Sequence, residues 1–198
     1  MTTPRQQERQ QRMLEAALSE FCRTGFHKAN VDEIARIASV GKGTLYRHYE
    51  NKEGLFLSVF EMVIQRLQEF IHERADFKNF EKGTREAIRA YLEQISAKPE
   101  IFHFFRVFTV DQELPHPELR RKLSERYFDS TQWVVKEIRV AQSKGVVRKS
   151  MDAEKITYAV LGMIHFLVYE WLKKGSREPL ADNADLICNI LIQGILKK

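Results

Sequence analysis

Glycine and proline are both scarce in this chain, at 9 and 5 of 198 residues. Segments periodic in Leu, Ile, Phe, Glu, Lys and Arg dominate instead, which favours an all-helical protein. The two cysteines, Cys22 and Cys188, lie far apart. The N-terminal stretch MTTPRQQERQQR is polar and has no apolar signal core. Together they exclude a disulfide scaffold and lead us to expect reduced thiols in a cytoplasmic protein. The longest apolar run, Ala159 to Leu172, is interrupted by His165 and Glu170. It falls short of the ~20 residues that cross a bilayer, so it reads as a buried helix and no membrane partner is expected. There is no G-x-S-x-G, no phosphate-binding glycine loop and no H-E-x-x-H. Asp111 and Glu113 lie close together beside a proline-rich loop, a pairing common without chemistry, so no enzyme and no cofactor are expected. His103, His116 and His165 lack the close spacing of a ligand set, so no metal is expected either.

What is present is a globular, weakly basic chain. Hydrophobic residues make up 43% and the formal charge is +5, which permits a polyanionic partner without demanding one. A first helix should begin near Pro4, which a first helical turn tolerates, and run to about Thr24, stopped by Gly25. Asn30 reads as the N-cap of a short helix with Val31, Ile34, Ala35 and Ala38 inward. After a break at Ser39 to Gly41, a third helix covers Lys42 to Tyr49. Asn51 then caps a long fourth helix with Leu55, Val59, Met62 and Leu67 among its apolar positions. Further helices are expected over about 83–97, 99–113, 117–144, 153–174 and 182–197, with breaks at Lys98-Pro99, Leu114 to Pro117, Gly145, Gly175 and Pro179.

Two short helices joined by a turn, the second basic and hydroxylated, form a helix-turn-helix pattern. Small residues are needed where the helices cross, and Ala35 and Ala38 supply them; Val40 and Leu45 supply the apolar plug. At roughly 100° per residue Leu45 and Tyr49 share an inward face. Gly43 and Arg47 then point outward, flanked by Thr44, Tyr46 and His48. A cation, hydroxyls, an imidazole and an unobstructed glycine suit a major groove about 12 Å wide. Arg47 is a candidate for phosphate or base on that ground.

The run Asn30 to Leu55, NVDEIARIASVGKGTLYRHYENKEGL, closely resembles the DNA-binding signature of TetR-family transcriptional regulators. Ile34-Ala35, the GTLY run from Gly43 to Tyr46, Tyr49, and Lys52-Glu53 carry the likeness. The resemblance implies that Lys42, Thr44, Tyr46 and His48 face DNA, and that Asn30 and Lys52 bind backbone phosphates at helix N-termini. It further implies a ligand-responsive regulator, a repressor by analogy, that binds a pseudo-palindromic operator as a homodimer. Two positions depart from the pattern. Ser39 stands where glycine is usual, and Gly41 replaces the capping serine or threonine.

Expected domains are a helix-turn-helix module over 1–52 and a helical ligand-binding and dimerisation domain over 53–198. The segment PEIFHFFRVFTVDQEL is dense in phenylalanine. Phe102, Phe105, Phe108, Trp133, Met163 and Phe166 are candidate walls of a pocket for a small, largely apolar effector, chosen for apolar bulk. Arg106 lies among these phenylalanines; facing inward, it would require an anion, either from the ligand or from Glu93 or Glu113, and a protein partner is favoured. In 153–174, one stripe holds Ile156, Val160, Met163, Leu167 and Trp171, and another holds Tyr158, Leu161, Gly162, His165 and Tyr169. Apolarity nearly all round implies burial on two sides. With Leu186, Ile187, Ile190, Leu191 and Ile195 of the last helix, it points to a homodimer built from the last two helices. The alternative is a DNA-binding regulator without a small-molecule ligand, controlled by a protein partner.

Overall fold

Thr3 opens the first helix with a reciprocal cap. Its hydroxyl accepts the Gln6 N–H at 3.3 Å while its own N–H donates to Gln6 Oε1 at 2.7 Å. The computed structural model describes residues 3–99, 116–175 and 178–195. In chain order its helices are α1 (Pro4–Lys28), α2 (Val31–Ile37), α3 (Lys42–Tyr49), α4 (Lys52–His72), α5 (Phe80–Ala97), α6 (Pro117–Ser130), α7 (Gln132–Ser143), α8 (Ala153–Lys173) and α9 (Asn183–Ile195), with a 3-10 turn at Leu180–Asp182 before α9. No strand occurs among the described residues. The chain divides into two compact units, Met1–Gln65 with Glu100–Tyr127, and Arg66–Pro99 with Phe128–Lys198. That division differs from a cut after residue 52, since the start of α4 and most of α6 group with the first three helices.

In the first unit, Gly25 breaks α1 with a φ of +76°, as its place after the apolar stripe predicts. Met13, Leu14, Ala17 and Phe21 of α1 are buried, as are Ile34 and Ala35 of α2, Leu45 and Tyr49 of α3, and Leu55, Phe56, Val59 and Phe60 of α4. Phe56 takes the edges of both Phe21 and Phe26, with ring centroids 4.9 and 5.2 Å away. From α6, Arg126 and the residue before the helix, His116, reach Glu61 and Glu53 of α4 at 2.7 and 3.4 Å.

The second unit buries Ile88, Leu92 and Ile95 of α5, Val135 and Ile138 of α7, Ile156, Val160, Ile164 and Val168 of α8, and Ile187, Leu191 and Ile195 of α9. Arg85 and Arg89 of α5 both grip Asp185 of α9, at 2.5 and 3.3 Å. A single helix over 117–144 was expected, but the chain breaks at Thr131. Its N–H and hydroxyl both turn back to the Phe128 carbonyl, at 3.0 and 2.8 Å. A threonine that satisfies its own backbone locally leaves no glycine or proline to mark the break. The expected stops at Gly145 and Gly175 both have positive φ. The expected helix over 99–113 lies outside the described residues.

Candidate nucleic-acid interface

Asn30 caps α2, its Oδ1 accepting the Asp32 N–H at 2.9 Å. Its own N–H donates to Oε1 of Glu20 on α1 at 3.1 Å. Glu20 is a buried carboxylate, 2% exposed, that also accepts from Arg23 at 2.5 Å and the Thr24 hydroxyl at 3.4 Å. Burial pushes its pKa up, but the bonds from Arg23 and the Asn30 N–H, with the charge of Arg23, outweigh it and hold the carboxyl below its ordinary value. Glu20 thus ties the start of α2 to α1. Its signal in the sequence was a charge on the apolar stripe of α1, a feature the periodicity reading passed over.

The turn between α2 and α3 closes with two backbone bonds. Ser39 N–H donates to Arg36 O at 3.1 Å and Val40 N–H to Ala35 O at 3.0 Å, the paired bonds of a Schellman cap. Ser39 takes the left-handed position with φ +55°, where glycine is usual. Gly41 caps α3 through its backbone alone, accepting from Thr44 and Leu45 N–H at 2.9 and 3.2 Å. The turn thus closes although Ser39 and Gly41 depart from the expected residue types.

Along α3, Leu45 and Tyr49 are buried, Thr44 and Tyr46 half-buried, and Lys42, Gly43, Arg47 and His48 exposed. The angular reading of this helix holds at every one of these positions. Nothing stands within 4 Å of where a Gly43 side chain would begin, so the outer face is open to an approaching surface. Burial pushes the Tyr49 hydroxyl up to about 12. The chain leaves α3 through Glu50, whose φ of +60° and ψ of −53° let Asn51 N–H reach Tyr49 O at 2.6 Å. This is a tight three-residue turn of the strained kind.

Both lysines among the expected DNA contacts already have partners. Lys42 Nζ lies 2.9 Å from Asp32 of α2, and that bond raises the lysine pKa. Lys52 Nζ donates to the His27 carbonyl at 3.0 Å and sits 5.1 Å from the Phe26 ring centroid. Burial lowers its pKa, with the charge of Glu20 acting the other way. The structure thus brings Asn30, Lys42, Thr44, Tyr46, Arg47 and His48 onto two adjoining helices, and sets Lys52 against the end of α1.

The second unit holds a separate feature, a cavity of about 90 Å³. Ile71, Ile88, Tyr91, Trp133, Val160 and Ile164 are among its walls, and among the described residues Glu137 is the one carboxylate beside them. Of the expected pocket residues, Trp133 lines it. Met163 and Phe166 do not, and Phe166 is 65% exposed. The reason is angular. The inward line of α8 runs Ile156, Val160, Ile164, Val168, and Phe166 lies roughly 160° around the helix from Ile164. Choosing by bulk ignored that phase. The same drift affects the proposed core stripe, which leaves the buried line at Met163, Leu167 and Trp171, all half-buried. Phe102, Phe105, Arg106 and Phe108 lie outside the described residues, as does Glu113; Glu93 is exposed.

A short helix capped at its start, a closed turn, and a second helix with an open polar face define a helix-turn-helix protein that binds duplex DNA. Residues 13–59 match the bacterial regulatory proteins of the tetR family. Over that stretch the chain carries the helix-turn-helix of those regulators. It is 23% identical to the fatty acid metabolism regulator protein of Bacillus subtilis over 194 residues, 94% of this chain and 95% of that one. Its fold is similar to that of the regulator FadR from Bacillus subtilis in complex with stearoyl-CoA, with a TM-score of 0.77, 21% identity, and 94% and 99% of the two chains covered. It is also similar to SmeT, the repressor of the Stenotrophomonas maltophilia multidrug efflux pump SmeDEF, with a TM-score of 0.71, 14% identity, and 95% and 90% covered.

Proposed function

We propose that this protein is a ligand-responsive repressor. It binds a pseudo-palindromic operator as a homodimer and is released by a small, largely apolar effector. The observation that carries this reading is the apolar cavity among α4, α5, α7, α8 and α9 in a chain whose α3 presents an open polar face. A closed core would have favoured control by a protein partner. FadR was crystallised with stearoyl-CoA, and SmeT is a repressor, so a long apolar chain is the first effector class to test.

Asn30, Lys42, Thr44, Tyr46, Arg47, His48 and Lys52 are the proposed DNA contacts. Those of α3 serve base edges and nearby phosphates; Asn30 and Lys52 serve phosphates. The Lys52 ammonium would keep its place over Phe26 and present its remaining hydrogens to the backbone. The homodimer reading is supported by Tyr158, Phe166 and Tyr169 on the outer face of α8, and by Leu186 and Ile190 on α9, all more than 40% exposed. The three on α8 lie away from its buried line, and all five need a cover.

Effector binding would act by changing the separation of two recognition helices, since a dimer must meet half-sites one or more turns apart. Helix α4 carries Lys52 at its start and the cavity residue Ile71 near its end. A hundred-fold preference of the effector for the misaligned state corresponds to about 2.7 kcal/mol of coupling. Capture of genome-wide bound DNA would supply the operator. Titration of acyl chains with and without that operator then tests the reading, because coupling is reciprocal and operator must weaken effector binding equally. Equal affinity in the two titrations would overturn it.

A further inference from the structure

We infer that Asp32 is a specificity-determining residue of the DNA interface. In the free protein it occupies Lys42 in place of a phosphate, and so suppresses binding to DNA of arbitrary sequence. The inference rests on the DNA-binding role of α3.

Lys42 is the first residue of α3, a helix with no acidic residue in its first turn and no side-chain cap. A cation at a helix N-terminus opposes the helix dipole, so this lysine does not belong there for the sake of the helix. Unsatisfied N–H groups and the ammonium together make that end of α3 attractive to an anion. In the folded chain the anion is Asp32, in the first turn of α2, with its carboxylate 2.9 Å from Nζ. The pair bridges the two helices of the motif at an exposed place, the lysine 50% and the aspartate 64% accessible. Exposed pairs of this kind contribute little to stability and exchange partners readily.

The next acid repeats the arrangement. Glu33 holds Arg36 with two bonds, at 2.8 and 2.6 Å. Both carboxylates of α2 therefore take up cations of the motif, whereas Arg47 on α3 makes no ion pair among the described residues. A duplex of arbitrary sequence, bound through its phosphates alone, must displace Asp32 to gain Lys42. An operator that also engages the face of Thr44, Tyr46 and His48 has further contacts to offset that loss. The acid thus penalises phosphate-only binding more, in proportion, than specific binding.

The test uses the full chain and a labelled duplex of mixed sequence, about 40 base pairs long, titrated over roughly 50–200 mM salt. Asp32→Asn should raise affinity severalfold at the lower salt and steepen the plot of log affinity against log salt by about 0.9, one recovered phosphate contact. Asp32→Ser should do the same, and thermal melting of both variants checks that α2 is intact. In a Lys42→Met background the gain and the added slope should vanish. Unchanged affinity and slope in Asp32→Asn would overturn the inference, as would a gain that persists without Lys42. If the unaltered protein fails to bind duplex at the lowest salt, the DNA-binding reading itself falls, an outcome distinct from the other two.

Discussion

The α-carbon of Gly54, in the first turn of α4, faces the carbonyl oxygen of Tyr49, the last residue of α3, so closely that a β-carbon there would overlap it. The Gly54 N–H donates to the Asn51 side chain at 2.7 Å, which fixes the same corner from the other side. Backbone on backbone leaves no flexible group to yield. Gly54→Ala should therefore lower the melting temperature clearly, by more than the few tenths of a kcal/mol that an ordinary surface exchange costs, and should loosen α3. Thermal melting checks this, and Gly43→Ala, with open space at its β-carbon, serves as the control that should leave the fold intact.

Ser39 holds a left-handed backbone with φ +55°. Serine pays a penalty of about 1 kcal/mol there that glycine does not. Ser39→Gly should stabilise the protein by up to that amount with operator affinity unchanged within twofold. A melting curve for the variant gives the first number and a gel shift the second. A loss of stability would mean that the hydroxyl has a role of its own.

Tyr46→Ala and His48→Ala should weaken operator binding by about 1–3 kcal/mol each while leaving the fold and oligomer unchanged. Neither side chain is buried, so truncation leaves no cavity. Arg47→Ala should reduce the salt dependence by roughly one counter-ion if it meets phosphate, and change sequence preference if it meets a base. An unaltered affinity in the Tyr46/His48 double variant would misplace the recognition helix.

The exposed apolar face on α8 and α9 makes a direct prediction about mass. Phe166→Glu with Ile190→Glu should convert a dimer to a monomer in light scattering at micromolar concentration, since both residues are over half exposed in the single chain. A monomeric unaltered protein would remove the dimer from the proposal.

Burial of His165 on α8, beside the Tyr91 ring, pushes its pKa down to about 4. The unfolded chain then binds a proton that the folded chain refuses between about pH 6.5 and 4. Stability from this group is fully present above about pH 6.5 and is lost as pH falls toward 4. Melting temperatures over that range should decline less steeply in His165→Gln, which cannot be protonated. An unchanged slope would show that other groups control the acid limb.

The helices were legible because their signals are local. Pro4, Gly25, Asn30 and Gly145 mark ends by backbone chemistry that needs no partner. The inward placement of Leu45 and Tyr49 followed from an angle alone, and so did the open face of Gly43 and Arg47. The break at Thr131 escaped because a threonine ended the helix through its own bonds to Phe128, with no residue type to announce it. The phase of α8 escaped for a different reason. That run is apolar on nearly every side, so composition cannot tell the core line of Ile164 and Val168 from the outer line of Phe166 and Tyr169.

The sequence by itself determined a helix-turn-helix, the outward face of its second helix and the likeness of that stretch to the tetR family, because these rest on spacing within one short stretch. Tertiary structure alone decided which cations of that face are already engaged. Asp32 and Lys42 are ten residues apart, and His27 and Lys52 twenty-five, on separate helices. It also decided which apolar side chains line the cavity and which await a partner. Such pairings depend on how helices meet, and periodicity along one helix carries no information about the next.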